Sequence, residues 1–312
     1  MQNPRIIFMG TPEFAVTSLD ALLKAGLNIV AVVTAPDKPA GRGMKLKESE
    51  VKKFAAEKGL KILQPEKLKD PVFLETLGSL QPDLQIVVAF RMLPEAVWNM
   101  PPMGTVNLHG SLLPQYRGAA PINWAVINGE TETGVTTFKL QHDIDTGDIL
   151  LQERSPIGEN ETAGEVLDRI KNIGAGLLVR TVKGLIDGSL NTTPQSQISS
   201  PDPLKLAPKI FPENCKINWD QPVSKIYNLV RGLSPLPGAF TFLDGKMLKI
   251  FKSKKEEITP AIPHGNFETD KKTFLRFAAA DGYIRAEEIQ LEGKKKMATE
   301  DFLRGYRLQS KA

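Results

Sequence analysis

Cysteine occurs once, at Cys215. No disulfide can form within the chain, and no oxidising compartment is implied. Histidine is scarce as well: His109, His142 and His264 are the only three in 312 residues. They show neither H-E-x-x-H nor Cys/His spacing, so no metal is expected. No apolar run approaches the ~18 residues of a membrane helix. The opening "MQNPRIIFMG" has no long apolar stretch of the signal-peptide kind. A cytoplasmic, monomeric chain without membrane association is expected. Two phosphate signatures are missing too. The first apolar strand ends "MGTPEF" rather than G-x-G-x-x-G, and G-x-x-x-x-G-K-[ST] occurs nowhere. Both absences argue against dinucleotide and ATP chemistry. The run "DIDTGD" (Asp143 to Asp148) fails as a calcium loop, with Asp148 where glycine is required and Arg154 where the bidentate glutamate belongs.

What is present suits a globular chain of two domains. Hydrophobic residues make up 41% and charged residues 24%. The net charge of +4 is uneven. Residues 201–312 hold 20 Lys and Arg against 14 Asp and Glu, a balance of +6; residues 1–200 hold 20 against 22, a balance of −2. A basic C-terminal third fits a polyanionic partner.

Apolar runs alternate with helical patterns through the first half. "RIIFMG", "NIVAVVT", "KILQP", "LQIVVAF" and "TVNLH" read as strands. "TPEFAVTSLDALLKAG" reads as a helix with Thr11 as N-cap, Pro12 at the first helical position and Gly26 at the stop. This rhythm predicts an α/β fold, a Rossmann-like doubly wound and mostly parallel sheet. "GVTTFKL" and "ILLQERS" look like a hairpin. A long helix follows, with Thr162 and Glu165 at capping-box spacing. The first domain is placed at 1–190. Residues 191–208, rich in Pro, Ser, Thr and Gln, read as a linker. Residues 209–312 carry D-G turns between β-like runs and predict a smaller β-barrel domain.

The stretch "NLHGSLLPQYRGAAP" holds the main chemical signal. In a strand, Asn107 and His109 share one face, and Gly110 leads the chain out at the strand's carboxyl end, where parallel sheets collect ligands. Asp145, in a turn before Thr146 and Gly147, is the natural carboxylate partner for an imidazole. Ser111 as a nucleophile is disfavoured: the G-x-S-x-G elbow is absent, and two residues are too few for His109 to face it. An Asx-turn aspartate and a strand-end polar pair remain the bland alternatives.

At this point the sequence resembles a known family. "NLHGSLLPQYRGAAPINWAVINGETETGVTTFKLQHDIDTGDIL" is similar to the core signature of the folate-dependent formyltransferases. "RIIFMGTPEFAV", "APDKPAGRGMKL" and the ending "GKKKMATEDFLRG" resemble the branch that acts on aminoacylated tRNA. The resemblance covers essentially the whole chain. It implies 10-formyltetrahydrofolate as co-substrate and the methionine amino group of initiator methionyl-tRNA as acceptor. It implies Asn107, His109 and Asp145 as the catalytic trio, and Ser111, Leu112, Leu113 and Pro114 as the folate-contact segment. The C-terminal domain would be OB-like and would grip tRNA. Its run Lys294, Lys295 and Lys296 is one expected point of attachment. The other is the loop Pro36 to Glu48, with Lys38, Arg42, Lys45 and Lys47. Pro36 and Pro39 discourage regular structure there, so a lid folding onto the tRNA acceptor end is expected. One departure stands out. Family members often read A-Y-G-x-I-L-P where this chain has "AFRMLP" (Ala89 to Pro94), and no individual residue roles are carried over there. Formyl transfer to purine precursors or nucleotide sugars, and hydrolysis of the formyl donor, use the same trio but leave the basic second domain unexplained. An RNA-binding protein with an inactive α/β relic is the reading from another class.

Overall fold

The computed structural model describes residues 3–40, 45–198 and 203–307; at Ala40 and Lys45 it describes the backbone alone. The chain divides into two compact units. The first comprises residues 1–118, 134–155 and 168–205; the second comprises 119–133, 156–167 and 206–312.

In the first unit, β1 (Ile6–Gly10), α1 (Glu13–Lys24), β2 (Ile29–Val33), β3 (Lys38–Ala40), β4 (Lys45–Lys47), α2 (Glu50–Glu57), β5 (Ile62–Leu63), α3 (Pro71–Ser79), β6 (Leu84–Val88), α4 (Glu95–Trp98), β7 (Thr105–His109) and β8 (Arg117–Gly118) follow in order. After α5 (Pro121–Ile127), β9 (Glu132–Lys139), β10 (Ile149–Pro156) and the long α6 (Ala163–Asp187) complete the framework. The seven-stranded sheet runs β10-β9-β7-β6-β1-β2-β5. β5, β2, β1, β6 and β7 are mutually parallel, and β9 joins β7 antiparallel. The strand order therefore reverses between β1 and β6, and ligands of such sheets gather outside the carboxyl ends near that reversal. β1 and β6 are buried along their whole length, as a sheet covered on both faces requires. Ile7, Met9, Ala31, Val33, Leu77, Val87 and Val97 fill one side of it. Gly10 ends β1 under close packing: a Cβ there would stand 2.6 Å from that of Ala15.

Local signals explain several boundaries. Thr162 and Glu165 do form the capping box, the Glu165 carboxylate accepting from the Thr162 amide at 2.8 Å and the Thr162 hydroxyl from the Glu165 amide at 3.2 Å. Thr11 is not the N-cap of α1: Pro12 is, with no side-chain cap bond, and the helix starts at Glu13. Proline suits extended backbone at that boundary as well as it suits the first turn. A second expectation also fails. Lys38–Ala40 and Lys45–Lys47 form an antiparallel ribbon, Lys38 opposite Lys47 and Pro39 opposite Leu46. A two-strand ribbon has no central strand, so Pro39 costs it little. Asp37 anchors its base, accepting from Gln64 at 2.8 Å and from Lys52. Both bonds hold the Asp37 carboxyl below its ordinary range, the Lys52 bond most.

The second unit holds β11 (Leu206–Ala207), α7 (Pro212–Cys215), α8 (Val223–Gly232), β12 (Ala239–Leu243), β13 (Lys246–Glu256), β14 (Phe267–Thr269), β15 (Leu275–Ala278), β16 (Tyr283–Leu291), β17 (Met297–Ala298) and α9 (Thr299–Gly305). Its antiparallel sheet runs β12-β13-β16-β15-β14, with β17 also on β16. Asp244 and Gly245, at φ +50° and +76°, make the two-residue turn expected of a D-G hairpin. Register shifts around Lys252 mark bulges in β13, the device that bends a sheet towards a small barrel. The core is closed by α8 and α9, with Ile226, Val230 and Phe302 meeting Leu248, Ile250, Phe277 and Ile289. α5 belongs to this unit: Asn123 donates to the Gly232 carbonyl of α8 at 2.7 Å.

Candidate active site

β7 carries Asn107 and His109 to the carboxyl edge of the sheet. The registers Leu108 opposite Val88 and Val88 opposite Gly10 align this edge with the ends of β6 and β1. His109 is only 6% exposed. Its Nε2 lies 2.9 Å from the Tyr116 carbonyl, and its Nδ1 lies 3.7 Å from Asp145 Oδ2. Phe138 meets the ring edge-on, centroids 6.5 Å apart. A carbonyl can only accept, so Tyr116 fixes a hydrogen on Nε2. Nδ1 is turned to the Asp145 carboxylate. Both ring nitrogens therefore face oxygen atoms. Asn107 is partly exposed, and its side chain makes no hydrogen bond to a described residue. Its amide is available to a ligand on the face it shares with His109.

Two strained residues point at the ring. Tyr116 has φ +60° and Asp145 has φ +54°, both in the left-handed region that non-glycine residues rarely adopt. One presents its carbonyl to His109 and the other its carboxylate. Such strain concentrates at functional sites. The Asp145 carboxylate is held in turn by the Gly118 amide at 2.9 Å. Gly147 lets the turn lie against β9, since a Cβ there would collide with the Lys139 carbonyl.

The segment Ser111 to Pro114 is largely turned inward. Ser111 is fully buried and donates its hydroxyl to the Gln115 carbonyl at 2.6 Å, so it is no nucleophile. Leu113 packs on Phe138 and Ile149. The Thr136 hydroxyl donates to the Ser111 carbonyl and accepts from the Leu113 amide, and Gln152 donates to the Leu113 carbonyl. Leu112 is partly exposed, and Pro114 lines a cavity of about 660 Å³ with Arg117, Gln141, Thr146, Asp148 and Gln195. Sequence reasoning missed Arg117 and Gln195, which bridge the two halves of the site. The only signal was the position of Arg117 inside the stretch "NLHGSLLPQYRGAAP".

The remaining expected residues lie apart. Lys38 is exposed on the ribbon. Arg42 lies outside the described residues, as does the Lys45 side chain. Lys294, Lys295 and Lys296 are exposed between β16 and β17 in the second unit; Lys296 pairs with Glu288 at 2.9 Å and lies over the Phe251 ring. In the departing stretch, Ala89 sits at φ +47°, and Arg91 caps the carbonyls of Pro65 and Glu66 and lies over the Phe90 ring. Burial lowers the pKa of its guanidinium. Among the described residues no helix is long and apolar enough to cross a membrane, and no group of three His, Cys, Asp or Glu could hold a metal.

Comparison with known proteins covers both units. Residues 4–182 match the model of the formyl transferase family, and residues 209–307 match that of the formyl transferase C-terminal domain. A methionyl-tRNA formyltransferase of Parabacteroides distasonis is 54% identical, over 98% of this chain and 97% of the relative. One of Bacteroides fragilis is 50% identical, over 98% and 96%. Among solved structures, the N-formyltransferase of Helicobacter canadensis, in complex with folinic acid and dTDP-3-aminofucose, superposes with a TM-score of 0.66 at 23% identity, covering 90% of this chain and 98% of that one. A sugar 3N-formyl transferase, crystallised in the presence of dTDP and 5-N-formyl-THF, gives 0.64 at 21%, covering 94% and 99%. With identities of 50% and above carried from end to end, and with both halves matched, the chain belongs to the formyl transferase family.

Proposed function

We propose that this chain transfers a formyl group from 10-formyltetrahydrofolate to the amino group of methionine on initiator methionyl-tRNA, in the cytoplasm, at the start of protein synthesis. The observation that carries this reading is the 50–54% identity to methionyl-tRNA formyltransferases over 98% of the chain. A buried imidazole between a carbonyl and a carboxylate, beside an available amide, supports it. The folate supplies the formyl group on N10 as an activated amide.

The geometry supports the following residue roles. The attacking amine generates negative charge on the formyl oxygen. The Asn107 amide is the donor for it, and one such donor is worth roughly 10²–10³ in rate. The amine must shed a proton and the departing N10 must gain one. His109 Nδ1 exchanges that proton, and Asp145 holds the positive charge that appears on the ring. No covalent intermediate is required, in keeping with the buried, occupied Ser111 hydroxyl. Leu112 and Pro114 would meet the folate, while Ser111 and Leu113 hold the segment from beneath. Residues 209–312, with Lys294 to Lys296, and the segment Pro36 to Glu48, with Lys38, Arg42 and Lys45, are assigned to tRNA, and residues 191–208 join the two functions.

The test is spectrophotometric release of tetrahydrofolate with purified protein. Charged initiator tRNA should support turnover, and charged elongator tRNA should support far less. Equal turnover with both, or turnover with a nucleotide amino-sugar alone, would overturn the assignment.

A further inference from the structure

Gln195 lies in the stretch whose composition reads as a linker, yet it is only 5% exposed. Its amide is fully used. Nε2 donates to the Asp145 carbonyl and to the Gly147 carbonyl, each at 2.8 Å. Oε1 accepts from Arg117 Nε at 3.1 Å and Nη2 at 2.6 Å. Two residues earlier, Thr193 is clamped to Ile149 by reciprocal backbone bonds of 2.8 Å, which fixes where Gln195 enters. Arg117 precedes Gly118, whose amide holds the Asp145 carboxylate. A closed ring results: Arg117 side chain, Gln195 amide, Asp145 backbone, Asp145 carboxylate, Gly118 amide, and back to Arg117 through one peptide bond.

The ring has work to do. Asp145 sits at φ +54°, a conformation its own backbone disfavours. Left to itself, the turn would relax and swing the carboxylate away from His109. Gln195 grips the turn on both sides of Thr146, and the planar Arg117 fork fixes the rotation of the Gln195 amide. Neither residue needs to touch substrate for this.

We propose that Gln195 and Arg117 are positioning residues that lock the Asp145 turn against His109. The proposal rests on the assignment of Asn107, His109 and Asp145 as the reacting groups. Partners one layer behind metal-binding side chains typically change activity by about 10–100-fold, and that scale is taken for the ring here. Gln195→Ala should therefore lower kcat by about 10–100-fold, with KM for folate and tRNA moving by less than about 3-fold, because the substrate-binding groups are spared. Gln195→Glu keeps the size but turns an oxygen towards two carbonyls, and it should lower kcat at least as far.

The deciding experiment is a double-mutant cycle on the full chain. In an Asp145→Asn background, Gln195→Ala should cost less than about 3-fold more, since its effect passes through a carboxylate already removed. Thermal melting of each variant reports folding. If Gln195→Ala does not fold, Arg117→Lys, which keeps the charge and loses the planar fork, takes its place in the cycle, with an expected loss of about 3–10-fold in kcat alone. A wild-type kcat in a folded Gln195→Ala, a loss confined to KM, or full additivity with Asp145→Asn overturns the proposal. If Asp145→Asn itself keeps wild-type turnover, the assignment of the trio falls first, and that outcome is separable from all the others.

Discussion

Two segments of the first unit differ in how they hold their functional groups. From His109 to Gly118, nearly every polar group is bonded within the protein: His109 to Tyr116, Ser111 to Gln115, Gly118 to Asp145. From Lys38 to Lys47, by contrast, a short ribbon carries Lys38, Leu46 and Lys47 in the open, fixed at its base by Asp37. The contrast follows from the tasks assigned to them. Proton and charge handling at a formyl group tolerates displacements of only fractions of an ångström. Gripping a phosphate backbone needs charge within reach and little else.

The sharpest way to break this comparison is to remove groups from the bonded segment. His109→Ala and Asp145→Asn should each lower kcat by about 10²–10⁴, and the melting temperature of Asp145→Asn should stay close to wild type, because Asp145 lies in a turn and Asn is nearly isosteric. Turnover within a few-fold of wild type in either variant, measured by tetrahydrofolate release, would remove the distinction between the segments. A smaller effect is expected in the segment Pro36 to Glu48. Arg42→Ala should lower kcat/KM for tRNA by roughly 10-fold or more, as removal of one or two charged interactions would, and leave folate binding intact. If initiator tRNA and a tRNA with a mismatched acceptor stem are slowed equally and slightly, the segment Pro36 to Glu48 is not a recognition element. Smaller still is the change at the second unit's lysines. Replacing Lys294 and Lys295 with alanine should reduce the slope of log affinity against log salt by about one for each phosphate that is no longer neutralised, with little effect on kcat. An unchanged slope would move the tRNA elsewhere.

The smallest effect concerns the base of the ribbon and is read in stability. The Asp37 carboxyl titrates below its ordinary range because Lys52, then Gln64, bonds its charged form. A carboxyl whose pKa is depressed by folding stabilises the fold above its unfolded pKa, and that contribution is lost as pH falls through the folded value. Asp37→Asn should therefore flatten the acid limb of melting temperature against pH below the ordinary carboxylate range. The change should be slight, because solvent screens the pair. An acid limb identical to that of the wild type would show that the ribbon's base is not held by charge.

How much of this was legible in the sequence depends on the range of the interaction. The strands of the parallel sheet, the Thr162–Glu165 cap and the Asp244–Gly245 turn are written in neighbouring residues, and the structure contains all of them. Asn107 and His109 were legible because strand alternation alone puts them on one face. Gln195 was not, since its partners lie 78 and 50 residues away and its neighbours are compositionally those of a linker. The membership of α5 was equally hidden: Asn123 meets Gly232 across 109 residues. A chain cut near Leu190 would lose Gln195 and separate α5 from α8, so it would not isolate the first function cleanly. The ribbon was missed because proline argues against strands in general, and only the pairing pattern shows that this one has no central strand.

The Gly118 amide has a use beyond holding a carboxylate. Its hydrogen points at a charged oxygen 2.9 Å away. Such a hydrogen resonates well downfield of ordinary amides in a proton spectrum and exchanges slowly with deuterium while the bond persists. One glycine signal, resolved by nitrogen-15 labelling, would then report in real time whether the Asp145 turn is seated, in protein that has met neither folate nor tRNA.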